Sequence, residues 1–321
     1  MKKVLTICIS LIMISGVFFV WFNEYKEVFR REEIVRNEGQ FSVIFFGDMM
    51  FDREMRRLGE KDGYGKIFDC MRDVLLARDA VVANLEGPIT NNKSESLGSK
   101  PGSADNYKFT FDPVITDSLL LANIGYVNIG NNHILNFGKD GLVQTRQALT
   151  KAGISYFGSP QLEGSSELAS SSIAYIEGGA KKIALINYNQ FWQDNVGDVA
   201  KLVEIKKGEG NIAIVYAHWG EEYASTTDSQ RSVAHAFIDS GADVVMGSHP
   251  HVIQEIEEYK GRPIFYSLGN FVFDQWWNDA VRDGLGVRMM LNGTSTELHF
   301  DTISTRLGKD GVPCPVTATT T

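Results

Sequence analysis

The chain has 321 residues, of which 43% are hydrophobic and 22% are charged, and this composition excludes a wholly disordered, collagen-like or multi-span membrane protein. Its net charge is −9 and it contains no basic run, so we expect no nucleic-acid partner. One of three cysteines lies in the apolar N-terminus, and the other two, Cys70 and Cys314, cannot make a disulfide framework or a zinc-finger set.

Residues 1–22 predict a membrane segment. Lys2 and Lys3 precede a 19-residue uncharged stretch, which is long enough to span a bilayer as a helix. The stretch ends near Trp21 without an Ala-x-Ala cleavage site, so we predict an uncleaved signal anchor, with a cleaved signal peptide as the alternative. We expect a single-pass protein of the cell membrane whose globular body lies outside the cytoplasm. Residues 23–40 are charged and predict a juxtamembrane stalk.

From residue 41 onward, short apolar runs alternate with amphipathic helical patterns, which indicates one α/β domain over 41–303 with largely parallel strands. The pattern becomes β-rich after residue 252 and predicts a second, more antiparallel sheet. Residues 91–106 predict a long mobile loop, and 304–321 predict a flexible tail. The runs that predict buried strands are 41–46, 80–83, 126–129, 183–187, 212–217, 243–246 and 264–267, and the helical patterns are 113–122, 141–152 and 229–240.

Side chains that can bind metals follow five of these strands. In open α/β sheets, sites form where the carboxyl ends of the strands meet, so we expect these side chains to lie together. Carboxylate and amide oxygens combined with imidazoles suit one or two divalent ions of Mn, Fe or Zn. On an extended chain, the two histidines of a His-x-His sequence would face neighbouring metals. The residues are Asp48, Glu86, Asn132, His133, His218, His249 and His251.

Each of these residues, taken alone, also has a structural explanation. A histidine after a strand is more often a hydrogen-bonded structural residue, and an Asp after a Gly is usually a turn former or a helix N-cap. Four of the six histidines fall at strand ends together with the acids, and this coincidence favours a metal site. His235, in a helical pattern, and His299, in an alternating strand, are assigned structural roles. Cys70 falls at a helical core spacing and is predicted to be inert.

Six sequence blocks resemble the CapA, or poly-γ-glutamate capsule-synthesis, family, which is similar to the calcineurin-like metallophosphoesterases. The resemblance extends over about residues 41–292 and implies an αββα fold, a two-sheet sandwich flanked by helices. In chain order, the blocks are GDMM at 47–50, ANLEGP at 83–88, GNNH at 130–133, HWGEEY at 218–223, GSHPHVIQ at 247–254 and IFYSLGNFVFD at 264–274.

The resemblance implies a role for each candidate residue. Asp48 and His251 resemble ligands of a first metal, and Glu86 stands where metallophosphoesterases place a bridging aspartate. His133 resembles a neighbouring histidine that assists as a general acid. The residues that resemble ligands of a second metal are Asn132, His218 and His249.

Two positions depart from the pattern of the metallophosphoesterases. Those enzymes open with Asp-x-His, whereas this chain has Met50, a poor ligand, so the first site is expected to be weak or empty unless another group such as Asp52 serves it. The family often has an Asp three residues after the histidine of GNNH. This chain has Asn136 there, which leaves His133 without a carboxylate that would tune its pKa.

The resemblance implies a role in the synthesis or export of an anionic polymer, poly-γ-glutamate, with the membrane, the polymer and other capsule-synthesis subunits as partners. The metal site would polarise a phosphoryl or carbonyl oxygen and activate a bound water, with His133 protonating the leaving group. Two alternatives stay open. One is a non-enzymatic metal-binding subunit of an export complex, and the other is a phosphoesterase that acts on lipid or nucleotide phosphates outside the membrane.

Overall fold

The computed structural model describes residues 40–160, 173–178, 181–192, 196–292 and 297–316. In these residues, strands and helices alternate along most of the chain. The strands are β1 (Gln40–Met49), β2 (Ala80–Leu85), β3 (Ile124–Asn128), β4 (Ser155–Phe157), β5 (Ile173–Ile176), β6 (Ile183–Asn189), β7 (Ile212–His218), β8 (Val244–Ser248), β9 (Ile256–Tyr259), β10 (Arg262–Phe265), β11 (Asn270–Val272), β12 (Asp283–Asn292), β13 (Leu298–Leu307) and β14 (Pro313–Pro315). The helices are α1 (Arg53–Asp62), α2 (Arg72–Leu76), α3 (Ile115–Leu121), α4 (Gly138–Ala152), α5 (Val196–Gly208), α6 (Asp228–Asp239) and α7 (Asp279–Arg282), with 3₁₀ helices at Tyr64–Met71 and Ala104–Tyr107.

The strands form two mixed sheets. The first has the order β14-β13-β12-β1-β2-β3-β4, with β11 also paired to β1, and the second has the order β5-β6-β7-β8-β10-β9. Strands β1 to β4 are mutually parallel, as are β6, β7, β8 and β10. The carboxyl ends of β1, β2 and β3 therefore lie at one edge of the first sheet, and those of β7 and β8 at one edge of the second.

The β-rich residues after 252 do not form a second, more antiparallel sheet of their own, so that prediction is wrong. Strands β12, β13 and β14 extend the first sheet through an antiparallel pairing of β12 with β1, and β9 and β10 extend the second sheet. Alternate residues of β12, such as Val287 and Met289, pack into the same core as Phe45 of β1. The period-2 pattern predicted these strands, but it carries no information about which strand is the neighbour.

Three apolar cores separate the layers. The core between the sheets contains Phe45 of β1 and Ile214 of β7. The opposite face of β1, with Phe46, packs against the helices that include Leu142 of α4, and the outer face of the second sheet packs against Phe237 of α6. Successive side chains of β1 thus enter different cores, as the pleat of a strand requires. The predicted αββα sandwich is confirmed.

The predicted anchor, residues 1–22, lies outside the described residues, as does the predicted stalk except for its last residue. Gln40, which was assigned to the stalk, is the first residue of β1. Within the part of the chain that the structure describes, no helix is both long enough and apolar enough to cross a bilayer.

The C-terminal residues are tied to the body, so the prediction of a flexible tail is wrong for residues 304–316. Residues 304–307 complete β13, and β14 pairs with them. Cys314 of β14 forms a disulfide with Cys70, which lies on the exposed side of the 3₁₀ helix Tyr64–Met71 and not in the core. The two cysteines are 244 residues apart in sequence, so local composition could not indicate this pairing.

The segment 91–106, predicted as a long mobile loop, is fastened to the body by side-chain hydrogen bonds. Ser94 Oγ donates to Asp52 Oδ1 at 2.6 Å, and Asn106 Oδ1 accepts from Arg53 Nη1 at 3.4 Å. The Ser and Asn residues that suggested a loop are the ones that make these bonds, because short polar side chains readily bond to neighbouring turns.

Candidate metal centre

The seven predicted residues are brought to one place by the strand ends of both sheets. Asp48, Glu86 and His251 offer possible ligand atoms that all lie within 4.8 Å of one another, and so do Glu86, His218 and His249. Glu86 belongs to both groups and therefore stands between two adjacent positions for an ion. Asn132 adjoins the second group, since its Oδ1 lies 2.9 Å from His218 Nε2.

Glu86 is buried without a hydrogen-bond partner. Neither carboxylate oxygen has a hydrogen bond, and Oε1 lies 3.6 Å from His251 Nε2 and 3.9 Å from His218 Nε2. Burial, together with the charge of Asp48, raises the pKa of Glu86 well above its ordinary value. An unpaired buried carboxylate is costly, whereas a divalent cation would satisfy both the carboxylate and the imidazoles around it. The residues present therefore fit a metal ion.

The His251 ring is oriented by a fixed hydrogen bond. Its Nδ1 lies 3.0 Å from Asn270 Oδ1, and Asn270 Nδ2 donates to Val281 O and to Gln275 Oε1. Because Asn270 uses its amide nitrogen in this way, its oxygen accepts the proton from Nδ1. Nε2 is then left with a lone pair that faces Glu86, which is the arrangement usual for histidine ligands of metals.

The His218 ring is also oriented by a neighbouring polar side chain, that of Ser248. Its Nδ1 lies 3.0 Å from Ser248 Oγ, and that hydroxyl donates to Ala217 O. Nδ1 also lies 3.4 Å from Asn84 Nδ2, whereas Nε2 faces Asn132 Oδ1 and Glu86 Oε1, so Nε2 is the nitrogen directed at the ligand group. Burial, followed by the charge of His249, keeps the pKa of His218 well below its ordinary value, so the ring is neutral and able to bind a metal.

His249 and His251 do not lie on an extended chain, so that prediction is wrong. Their φ angles are +97° and +58°, in the left-handed region, and they form a turn after β8. The two rings still reach the two neighbouring ligand groups, because the turn directs them there and not because side chains alternate along a strand. His249 is buried, its Nδ1 has no partner, and burial together with the charge of His251 lowers its pKa to about 3. Strained backbone of this kind is found at functional sites.

Asp48 is ionised and firmly held. Its Oδ1 accepts a hydrogen bond from Asn84 Nδ2 at 2.8 Å, and its Oδ2 accepts one from the backbone N–H of His249 at 3.0 Å. Burial alone would raise the pKa of Asp48, but the hydrogen bond and the charge of His251 outweigh it and bring the pKa well below its ordinary value. The carboxylate is thus available as an anion at any physiological pH.

Asn84 is a site residue that the sequence reasoning missed. Besides its bond to Asp48, its Oδ1 accepts from Asn128 Nδ2 at 2.9 Å and from Asn131 Nδ2 at 3.1 Å. Asn84, at the end of β2, is thus hydrogen-bonded to the end of β1 through Asp48 and to the end of β3 through Asn128. Its position at the end of β2, two residues before Glu86, was the available signal.

The segment after β1 offers no further ligand. Met50 is fully buried, and its sulfur accepts the backbone N–H of Asp52. The Asp52 carboxylate is used structurally and accepts hydrogen bonds from Arg56 Nε, Ser94 Oγ and the backbone N–H of Thr110. The structure therefore gives no support to the alternative that Asp52 serves the first metal.

His133 lies in the cleft beside the ligands, with Nε2 at 3.9 Å from Glu86 Oε1. Its Nδ1 is 3.1 Å from Asn136 Oδ1, and the same oxygen accepts the backbone N–H of Phe109, so Nδ1 is the donor. Burial lowers the pKa of His133 to about 4, and the Asn136 hydrogen bond opposes this only in part. The ring is therefore neutral near pH 7, and its Nε2 faces the cleft as an acceptor.

The two histidines assigned structural roles lie outside the ligand groups found among the described residues. His235 of α6 has Nε2 2.8 Å from Glu257 Oε1 and stacks on Tyr259 with ring centroids 3.7 Å apart. His299 is in β13.

Two partly exposed rings border the histidines and a third packs against one of these rings, and none of the three was predicted. Phe191 lies 4.3 Å from His249 between ring centroids, and Tyr223 lies 6.0 Å from His251. Trp277 lies 5.8 Å from Tyr223. We refer to Phe191, Tyr223 and Trp277 as the aromatic rim, which flanks the histidines on the side open to solvent.

Comparison with known proteins identifies the family to which the chain belongs. The chain is 32% identical over 272 residues to the PGA biosynthesis protein CapA of Bacillus subtilis, covering 79% of this chain and 69% of that protein. It is 27% identical over 304 residues to the capsule biosynthesis protein CapA of Bacillus anthracis, covering 88% and 71%. A phosphatase from Mycoplasma pneumoniae shares the fold with a TM-score of 0.50 and 16% identity, over 83% of this chain and 93% of that one. The family model for the bacterial capsule synthesis protein PGA_cap matches residues 42–275, so the chain belongs to that family.

Proposed function

We propose that this member of the bacterial capsule synthesis family acts outside the cell membrane in the synthesis or export of an anionic polymer, poly-γ-glutamate, through a metal-dependent hydrolase-type site. The names of the two Bacillus relatives support the link to capsule synthesis. The observation that carries the metal-dependent part is Glu86, a buried carboxylate without a hydrogen-bond partner that is shared by two groups of ligands.

Two sets of residues would hold the ions. Asp48, Glu86 and His251 would hold one of them. The second would be held by Glu86, Asn132, His218 and His249. Bound divalent cations of this kind polarise a phosphoryl or carbonyl oxygen and lower the pKa of a bound water. Oxygen and imidazole donors suit Mn, Fe or Zn.

The other residues of the site position groups and control protons. The aromatic rim borders the side of the histidines on which a substrate would bind. His133 directs Nε2 toward the same cleft, and its pKa of about 4 leaves this atom unprotonated near pH 7. An anionic substrate group beside the ring raises the pKa of the imidazole, so Nε2 takes up a proton and can donate it to a leaving group.

The disulfide supports the proposed location, because disulfides form and persist in oxidising compartments and are rare in the cytosol. The full chain is expressed in cells, and the protein is then denatured and treated with an alkylating reagent. We expect Cys70 and Cys314 to resist alkylation until a reductant is added. The variant Cys70→Ser is the control, since Cys314 must then react without reductant. Alkylation of both cysteines in the unreduced protein would contradict the proposed location.

The enzymatic part is tested on the full-length protein in detergent, stripped of metal and reloaded with Mn²⁺ or Zn²⁺. We expect metal-dependent cleavage of γ-glutamyl polymers, and restoration of capsule in a strain that lacks the related gene. Turnover of phosphate esters without action on the polymer would favour the phosphoesterase alternative. Capsule restoration without any turnover would favour a non-enzymatic metal-binding subunit.

A further inference from the structure

Glu222 is a carboxylate that none of the roles above uses. A carboxylate oxygen of Glu222 and a nitrogen of each of His249 and His251 all lie within 4.8 Å of one another. These two histidines belong to the two different groups that share Glu86. Glu222 is exposed whereas Glu86 is fully buried, so the two carboxylates approach the histidines from the solvent side and from the interior.

The backbone holds Glu222 beside the two histidines. The N–H of Tyr223 donates to the carbonyl of Pro250, the residue between His249 and His251, at 2.8 Å. The loop turns sharply after β7 because Gly220 has φ +88°, and a Cβ there would lie 2.7 Å from the Gln230 side chain. The position of Glu222 is therefore built into two loops that are bonded to each other.

A chain of hydrogen bonds joins Tyr223, the residue after Glu222, to the far side of the His251 ring. The Tyr223 hydroxyl accepts from Gln275 Nε2 at 3.1 Å, and burial together with the nearby charge of Glu222 raises the pKa of that hydroxyl. Gln275 Oε1 accepts from Asn270 Nδ2 at 3.0 Å, and Asn270 Oδ1 is the acceptor for His251 Nδ1. The network that orients this histidine for a metal thus also holds Tyr223, whose backbone N–H ties the Glu222 loop to Pro250 between the two histidines.

His249 has a ring nitrogen without a hydrogen-bond partner. His249 is only 4% exposed, and its Nδ1 is buried without a hydrogen-bond partner. His249 is common to the group with Glu86 and His218 and to the group with Glu222 and His251. Asp48 and Glu86 alone bring two negative charges to two divalent positions, so a third carboxylate improves the charge balance.

We propose that Glu222 is a ligand of the metal centre and binds from the solvent side. The proposal rests on the metal binding proposed above. It adds a third carboxylate to the centre, one that an anionic substrate group can displace because it is exposed.

The test compares two adjacent exposed carboxylates in the full-length protein. Glu222→Gln removes the proposed ligand, and Glu221→Gln is the matched control with the same change of charge. Each protein is stripped of metal, dialysed against increasing Mn²⁺ and analysed for bound metal. We expect Glu222→Gln to bind at least one ion roughly 10-fold to 100-fold more weakly, the range seen when groups around a metal are removed. We expect Glu221→Gln to match the wild type.

Wild-type affinity and stoichiometry in Glu222→Gln would overturn the proposal. Equal weakening in both variants would also overturn it, because the effect would then be one of general charge. Melting curves without metal confirm that each variant is folded, and Glu222→Asp, which shortens the side chain, is the second variant and should bind with intermediate affinity. Failure of the wild type to bind Mn²⁺ would refute the proposed metal-dependent function itself, whereas unchanged binding in Glu222→Gln refutes only the role of Glu222.

Discussion

Replacement of Glu86 by Gln is expected to remove metal from both positions while leaving the metal-free protein at least as stable as the wild type. Glu86 belongs to both ligand groups, so its loss affects both ions. In the metal-free protein its carboxylate is buried and has no hydrogen-bond partner, and a neutral amide is easier to bury there. A metal ion present at 100 times its Kd stabilises the folded protein by about 2.7 kcal/mol, and this gain should be absent from the variant.

The matched comparison is Asp52→Asn, which replaces a second fully buried carboxylate nearby. Asp52 accepts hydrogen bonds from Arg56, Ser94 and Thr110, so we expect this change to cost roughly 1–3 kcal/mol and to leave metal content unchanged. Bound metal and melting temperature, with and without Mn²⁺, separate the two cases. Metal retained in Glu86→Gln, or a metal-free protein as destabilised as Asp52→Asn, would show that Glu86 is a structural residue.

The sequence predicted which residues reach the site, because their order along the chain follows the order of strand ends. Asp48, Glu86 and His218 each end or follow a buried apolar run, and parallel strands bring such ends to one edge. What the sequence could not supply was the conformation between them. The left-handed backbone at His249 and His251 is invisible in a pattern that alternates like a strand.

Long-range pairings were also beyond local patterns. One neighbour of β1 is β12, more than 230 residues later, and Cys70 pairs with Cys314 across 244 residues. The apolar face of an alternating strand can be buried against any other apolar face. The pattern therefore does not indicate which strand is its neighbour. The same holds for the buried asparagines, since the bond from Asn84 to Asp48 depends on the register between β1 and β2.

The proton chemistry of the site is expected to depend on Asn136. The amide oxygen of Asn136 accepts from both His133 Nδ1 and the backbone N–H of Phe109, so Asn136→Asp preserves both hydrogen bonds and adds a negative charge. An opposite charge at this distance favours the imidazolium, so the pKa of His133 should rise from about 4 by roughly 1–3 units. NMR titration of the imidazole in the metal-free protein measures this change directly.

The consequence for activity distinguishes two roles of His133. If the ring donates a proton, Asn136→Asp should increase turnover near pH 7, because a larger fraction of His133 is then protonated, and His133→Ala should lower turnover by about 10²–10⁴-fold with metal content retained. If the neutral ring accepts a hydrogen bond instead, Asn136→Asp should lower turnover as the pKa rises. His133→Ala with normal turnover and a reduced melting temperature would assign the ring to packing against Phe109, on which it lies with centroids 4.5 Å apart. An increase of turnover in Asn136→Asp would therefore show that His133 acts as an acid, which the Asn136 amide weakens. A decrease would show that neutral His133 accepts a hydrogen bond, which the amide preserves.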